Sequence, residues 1–224
     1  MWHASALEPY AAICHCRSAP SALLSPRMPR WEYRCFVPRT RGLTGAALGA
    51  AQLSRDGPET RADDYYAWDD DHGLKRRGGA ADCAQLELKK CEVRLPDGCE
   101  QISQRVVKRR HNSDGLRDAN GPLEPVVAAA VDVAVKQPPL RVEKQRWAAR
   151  RDDGVSVEVT KLNLGGDKWL TLCCEGSDAA AVVAAGASLQ RTALAAAGLP
   201  PEAARVCSYA AWVCEQRARQ AAAV

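Results

Sequence analysis

The stretch "RVEKQRWAARRDDGVSVEVTKLNLGGDKWLTLCCEG" (141–176) decides the fold. It holds three runs of alternating character, joined by "DDG" (152–154) and "NLGGD" (163–167), turns of the kind that connect antiparallel strands. Successive side chains of a strand point to opposite faces. The first run therefore sets Lys144 and Arg146 on one face, and the second sets Val155, Val157 and Val159 against Ser156, Glu158 and Thr160. Cys173 and Cys174 fall on opposite faces of the third run. A charged face of this kind meets water on an open sheet, or a lumen if the sheet closes into a barrel.

Working outward, the same pattern recurs. "WEYRCFVP" (31–38) places Glu32 and Arg34 on one face and Trp31, Tyr33 and Cys35 on the other. "DYYAW" (64–68) reads as a strand, and an acidic turn leads from it into "GLKRR" (73–77) and "LELKK" (86–90) around a Gly-Gly turn. These two runs carry Lys75 and Arg77, then Glu87 and Lys89. "CEVRLPDGCEQIS" (91–103) contains a P-D-G turn and predicts a hairpin. Helices are expected over 43–54, over 126–135, over 177–198 between a Ser-Asp cap and Gly198, and from the Pro pair at 200–201 to the basic end of the chain. Segments 55–64 and 108–125 read as loops. The expected class is α+β: an antiparallel barrel with flanking helices, in one domain over 30–224.

Composition narrows the function. A net charge of +4, from 31 Lys+Arg against 27 Asp+Glu, is too mild to imply a nucleic-acid partner. The basic run "VVKRRH" (106–111) has no interleaved aromatics and reads as a solvated loop. No apolar run reaches the length of a membrane span, so no membrane partner is expected. The ten cysteines form no C-x-x-C pair, which argues against structural zinc and for buried thiols in a reducing compartment. Residues 1–29, rich in Ser, Ala, Arg and Pro with one acid, Glu8, read as a mitochondrial or plastid targeting segment or as a disordered tail, with Met28 an alternative start. A cytoplasmic or organellar location follows.

The order "DYY…HGLKRR…LELK…VEKQR…VSVEVTKLN…WLTLCCEG…SYAAWV" resembles the CYTH superfamily, the triphosphate tunnel metalloenzymes, across roughly residues 31–213. That resemblance implies an eight-stranded antiparallel tunnel whose inward bases bind a triphosphate and whose inward carboxylates hold Mg²⁺ or Mn²⁺. The anion-binding bases it implies are Lys75, Arg77, Lys89, Lys144 and Arg146. The hallmark E-x-E-x-K strand is here Glu32, Arg34, Phe36, so one glutamate stays and Arg34 joins the substrate-binding set. Glu32 and Glu158 are the implied catalytic residues, and Glu32, Glu158 and Glu175 the implied metal ligands, with Glu87 and Glu100 in reserve. Thr160, Cys173 and Cys207 stand where the family pattern has further charged residues. Two functions follow: a binding protein for a triphosphate or polyphosphate anion that has lost catalysis, or a metal-dependent triphosphate hydrolase.

Overall fold

Alternation alone builds most of the sheet. In the computed structural model, which describes residues 30–77, 85–109, 116–118, 121–122 and 125–222, eight strands form a closed ring. They are β1 (Arg30–Pro38), β2 (Glu59–Tyr66), β3 (His72–Arg76), β4 (Gln85–Arg94), β5 (Glu100–Arg109), β8 (Leu140–Arg150), β9 (Ser156–Leu164) and β10 (Asp167–Gly176). The ring order is β1-β10-β9-β8-β2-β3-β4-β5, every neighbour antiparallel, and Arg30, Trp31 and Glu32 close it by pairing with Ile102, Gln101 and Glu100. Two short strands, β6 (Leu116–Asp118) and β7 (Gly121–Pro122), extend β5, and β11 (Arg205–Val206) pairs with the far half of β1. The hairpin between β9 and β10 turns on Gly165 and Gly166, both at positive φ, a conformation that suits the right-handed twist of the flanking strands.

The helices are α1 (Leu43–Ala50), α2 (Pro125–Ala134), α3 (Ala179–Ala196) and α4 (Tyr209–Ala222). On the outer face, α1 and α3 cover Tyr33, Cys35, Val155, Val157, Val159, Leu172 and Cys174 with Leu43, Leu48, Val182, Leu189 and Leu194. Burying these faces removes apolar area from water at about 25 cal/mol per Å², which fixes the register and turns the opposite faces inward. Helix α2 covers Tyr66, Leu74, Leu86 and Leu88 with Val131 and Ala134. By length and mean hydropathy, α3 does reach the limits of a membrane span, contrary to the sequence expectation, and its buried residues, Val182, Gly186, Leu189, Ala193 and Leu194, pack toward the barrel.

Helix α4 does something different. Its Trp212 and Val213 enter a third cluster with inward residues Phe36, Tyr65, Leu140, Val142, Leu162 and Leu164. Trp212 is fully buried and stacks on Phe36 with centroids 4.9 Å apart. One end of the barrel is thereby filled with apolar side chains, and the charged residues occupy the other.

Three expectations are corrected. Residues 59–64 are most of β2 rather than loop, because they pair along β8 and the buried Asp63 and partly buried Arg61 find charged partners inside the barrel, while the exposed Glu59 meets Arg61 and Arg146 at the strand end. The expected loop 108–125 includes the end of β5 and the strands β6 and β7. The final helix does not start at the Pro pair. A short 3-10 turn (Pro201–Ala203) and β11 come first, and α4 begins after Ser208, whose Oγ accepts from the Ala211 N–H. Residues 1–29, the Gly-Gly turn and His111 lie outside the described residues, as do the side chains of 106–110.

Gly186 in α3 marks the tightest contact between helix and barrel. A Cβ there would lie 2.3 Å from Tyr33 Cδ1, and the Tyr33 hydroxyl is held by donation to Gln190 at 2.7 Å. Gly186→Val is expected to cost roughly 1–3 kcal/mol through overpacking. Thermal denaturation should then show a drop of roughly 2–12 °C. An unchanged melting temperature would mean that α3 does not seat on Tyr33.

Candidate functional site: a charged chamber in the barrel

The inward residues above the apolar plug come from every strand of the ring except β5 in its described half, where Glu100 turns to the solvent-exposed Arg94 at 2.8 Å. Lys75, Arg77, Lys89, Lys144 and Arg146, the five bases expected from sequence, line one cavity of about 200 Å³ together with Arg30, Arg34 and Arg61. Among the described residues, Glu158 and Glu175 are the carboxylates that line it. Pairs at i and i+2 share a face, so the strand period delivers Lys144 and Arg146 to one wall.

Lys144 is buried. Its Nζ lies 3.0 Å from Asp63 Oδ2 and beside the stacked rings of Tyr65 (4.7 Å) and Tyr209 (4.4 Å). Burial disfavours its charge and the neighbouring Lys75 adds repulsion, which together bring its pKa down to about 7. Lys75 is lowered for the same reasons, burial first and the Lys89 charge second, although Glu87 stands 3.1 Å away. Asp63, with no exposed surface, counters both lysines and Arg61 (3.2 Å). Burial would raise its carboxyl, but the Lys144 and Lys75 charges outweigh that and hold it at about 2. Arg77 follows β3 at the mouth, half exposed and 2.6 Å from Glu87.

On the opposite wall the carboxylates meet Arg34, buried at 4% exposure. Its Nε donates to Glu32 (2.8 Å), and its Nη1 donates to Glu158 (3.3 Å) and to the Thr171 hydroxyl (3.2 Å). Its Nη2 stands 3.9 Å from Glu175, and its guanidinium lies 4.6 Å from the centre of the Tyr209 ring. Each carboxylate has a second cation: Lys89 on Glu32 (3.0 Å), Arg146 on Glu158 (2.6 Å) and Arg30 on Glu175 (3.0 Å). Burial pushes the Glu32 and Glu158 carboxyls up, but the neighbouring guanidinium and ammonium charges win and hold both well below the usual range. Glu175 goes the other way. Burial and the Glu32 charge raise it, and the partly exposed Arg30 does not cancel that.

Glu32, Cys173 and Glu175 bring one donor atom each within 4.8 Å of one another. Burial drives the Cys173 thiol well above its ordinary value, so it stays protonated. Neither reserve carboxylate joins this group: Glu87 is taken by Lys75 and Arg77, and Glu100 by Arg94. Of the tyrosines, Tyr65 faces the chamber side and Tyr66 the α2 core. His72 accepts no role there, since its Nδ1 sits 2.9 Å from Asp69 and its ring stacks on Trp68. The seven described cysteines are all free thiols.

Sequence reading missed Arg30, Arg61, Asp63 and Tyr209. Arg61 and Asp63 could have been found by extending the period of Tyr65 backwards at i−2 and i−4. Tyr209 belongs to a helix whose docking place the strand pattern does not disclose.

The closed eight-stranded antiparallel barrel with a charged lumen is the fold that the CYTH resemblance implies. In sequence the chain matches no family profile and no curated protein. Among solved structures it is similar to the PH1012 protein of Pyrococcus horikoshii, at 13% identity over 78% of this chain and 94% of that one, with a TM-score of 0.46. It is similar at 14% identity to the Hippeastrum protein HpAC1, described by a dominant triphosphatase activity, over 76% and 89% of the two chains with a TM-score of 0.45. The Pct1 RNA triphosphatase of S. pombe matches at 10% identity over 72% and 77%, with a TM-score of 0.36.

Proposed function

We propose that the chamber binds a triphosphate or longer polyphosphate anion. The observation that carries this is the convergence of eight basic side chains on one cavity that, among the described residues, two carboxylates line. Charge-assisted bonds from Lys and Arg to phosphate oxygens are among the strong ones, and a confined low-dielectric site strengthens them. Lys75, Lys89, Lys144 and Arg146 form the inner wall for the anion, with Arg77 at the mouth. A cavity of about 200 Å³ is smaller than the roughly 300–1,000 Å³ of sites for drug-sized ligands. That size favours a compact inorganic anion inside, with any organic group left at the mouth.

Mg²⁺ or Mn²⁺ is the cofactor that the CYTH resemblance implies, held by Glu32, Glu158 and Glu175. The residues present do not fit it. Arg34 already donates to two of these carboxylates and stands near the third, and the fourth donor at this place is the protonated Cys173 thiol. Hard divalent cations require ionised oxygen ligands in open geometry. The second reading, a Mg²⁺- or Mn²⁺-dependent triphosphatase, requires Glu32 and Glu175, whose donor atoms do lie within 4.8 Å of each other, to give up their contacts with Arg34.

The test is a thermal-shift titration with tripolyphosphate, run beside an assay of phosphate release with each metal. Binding should add about 2.7 kcal/mol at a ligand concentration 100 times Kd, a rise of roughly 5–11 °C. Phosphate release should stay at background. No stabilisation by phosphate, pyrophosphate or tripolyphosphate would overturn the proposal, and brisk metal-dependent release would establish the hydrolase reading instead.

The titration of Lys144 adds a pH dependence. An anion favours the protonated amine, so affinity should be full below pH 7 and fall as pH rises through about 7, by up to about tenfold per unit for one coupled proton. Lys144→Met should weaken binding at pH 6 and flatten the profile. A wild-type profile flat for sulfate, whose own charge is constant over this range, would show that Lys144 does not face the anion.

A further inference from the structure

We propose that Arg34 is a built-in cation that takes the place of a divalent metal among Glu32, Glu158 and Glu175, so that the chamber receives its anion without metal. The inference rests on the anion-binding reading above and adds how the carboxylate wall is neutralised.

The geometry is specific to one side chain. Strands β1, β10 and β9 are neighbours, and their register sets Glu32 opposite Glu175 and Arg34 opposite Cys173, which in turn pairs with Glu158. All three carboxylates therefore surround one residue. A guanidinium is planar, permanently charged and carries donors on three nitrogens. Here each nitrogen addresses a different carboxylate: Nε faces Glu32, Nη1 faces Glu158 and Nη2 faces Glu175. The Tyr209 ring at 4.6 Å holds the group from its face.

Charge arithmetic agrees. Three carboxylates meet Arg34, Lys89, Arg146 and Arg30, so the wall is already neutralised when all are ionised. A divalent ion would add two positive charges beside a buried guanidinium in a low-dielectric site. It would also have to strip hydrogen bonds from Glu32 and Glu158. A plain structural ion pair would look the same in wild type, but it makes no claim about what happens when the arginine is replaced.

The experiment measures Mn²⁺ alone, by paramagnetic resonance of free Mn²⁺ and by thermal shift with and without EDTA, on the full chain. Wild type should bind Mn²⁺ only weakly and show no shift at concentrations that stabilise the variants. Arg34→Glu should be less stable in EDTA and regain stability with Mn²⁺, with affinity tighter than wild type by about tenfold or more, the scale on which single partners move metal affinity. Should that variant not fold in EDTA, Arg34→Gln removes the cation without adding a carboxylate, and it too should acquire an Mn²⁺ response. Mn²⁺ binding by wild type as tight as by the variants, or no response in either variant, would overturn the proposal. A parallel titration of wild type with tripolyphosphate should give the same Kd in EDTA and in Mg²⁺, once the Mg²⁺ complex of the ligand is counted. A requirement for Mg²⁺ there would overturn it as well. Because the Mn²⁺ arms contain no phosphate, failure of the anion reading would leave their outcome intact.

Discussion

Replacing Trp212 by alanine should lower the stability of the barrel by roughly 3–5 kcal/mol, the usual cost of truncating a buried aromatic. The indole has no exposed surface, stacks on Phe36 at 4.9 Å and meets Trp169 edge-on at 6.0 Å. A cavity there opens inside the ring of strands, which hydrogen bonding holds in place, so little collapse can relieve it. Calorimetry should report a fall in melting temperature of roughly 6–20 °C. The effect should also reach the chamber. Tyr209, one helical turn before Trp212, covers Lys144 and Arg34. With its support gone, water reaches Lys144, and the pH at which anion affinity falls should move above about 7. Trp212→Phe should be far milder, because it keeps the stack and removes an indole N–H that has no hydrogen-bond partner among the described residues. If the alanine variant melts with wild type, α4 is not the plug.

The second large effect concerns Asp63. Asparagine at this position keeps the shape and removes the charge that Lys144 (3.0 Å), Arg61 (3.2 Å) and Lys75 (3.8 Å) share. Leaving buried charges uncompensated costs roughly 3–5 kcal/mol. The penalty should be larger at pH 6 than at pH 8, since Lys144 gives up its proton near 7 and thereby sheds part of the repulsion. Tripolyphosphate should restore more stability to this variant than it adds to wild type, because the bound anion supplies the missing counter-charge. For the native protein the linkage sign is the usual carboxylate one. The folded value of about 2 lies below the unfolded value of about 3.9. The contribution of Asp63 is therefore complete above about pH 4 and is lost as pH falls through about 2. Equal stability of Asp63→Asn and wild type at pH 6 would show that the carboxylate is not ionised in the fold.

What the sequence disclosed, and what it hid, follows from which force sets each residue. Lys144 and Arg146 were legible because Trp147, Val157 and Val159 fix the opposite face of their strands in the α1–α3 core. Period 2 then dictates the inward set. Residues 59–64 of β2 were hidden because their alternation is charged on the lumen side with no large apolar side chain to contrast with it: Glu59, Arg61 and Asp63 alternate with Thr60, Ala62 and Asp64. Strand β11 is two residues long and owes its existence to β1, not to its own propensity. Arg34 was read as one more base for the anion. Its hold on Glu32, Glu158 and Glu175 depends on contacts across three strands that only the closed register brings about.

The closure of the ring by β1 has a consequence for the order in which the protein can be made. Trp31 pairs with Gly176, which is 176 − 31 = 145 residues later, while Pro38 pairs with Trp169, which is 169 − 38 = 131 residues later. At the usual pace of synthesis, about 5–20 residues per second, β1 waits on the order of 7–29 seconds before its main ladder partner exists. Its other partners are sparse, with three residues of β5 and two of β11, and the latter emerges later still. Tyr33, Cys35 and Phe36, which have no partner on β5, thus spend that interval on an unpaired edge, a state in which a strand is open to pairing with other chains. Birth order and assembly order are reversed: β1, with Glu32 and Arg34, is made before the other strands of the ring and completes the barrel last.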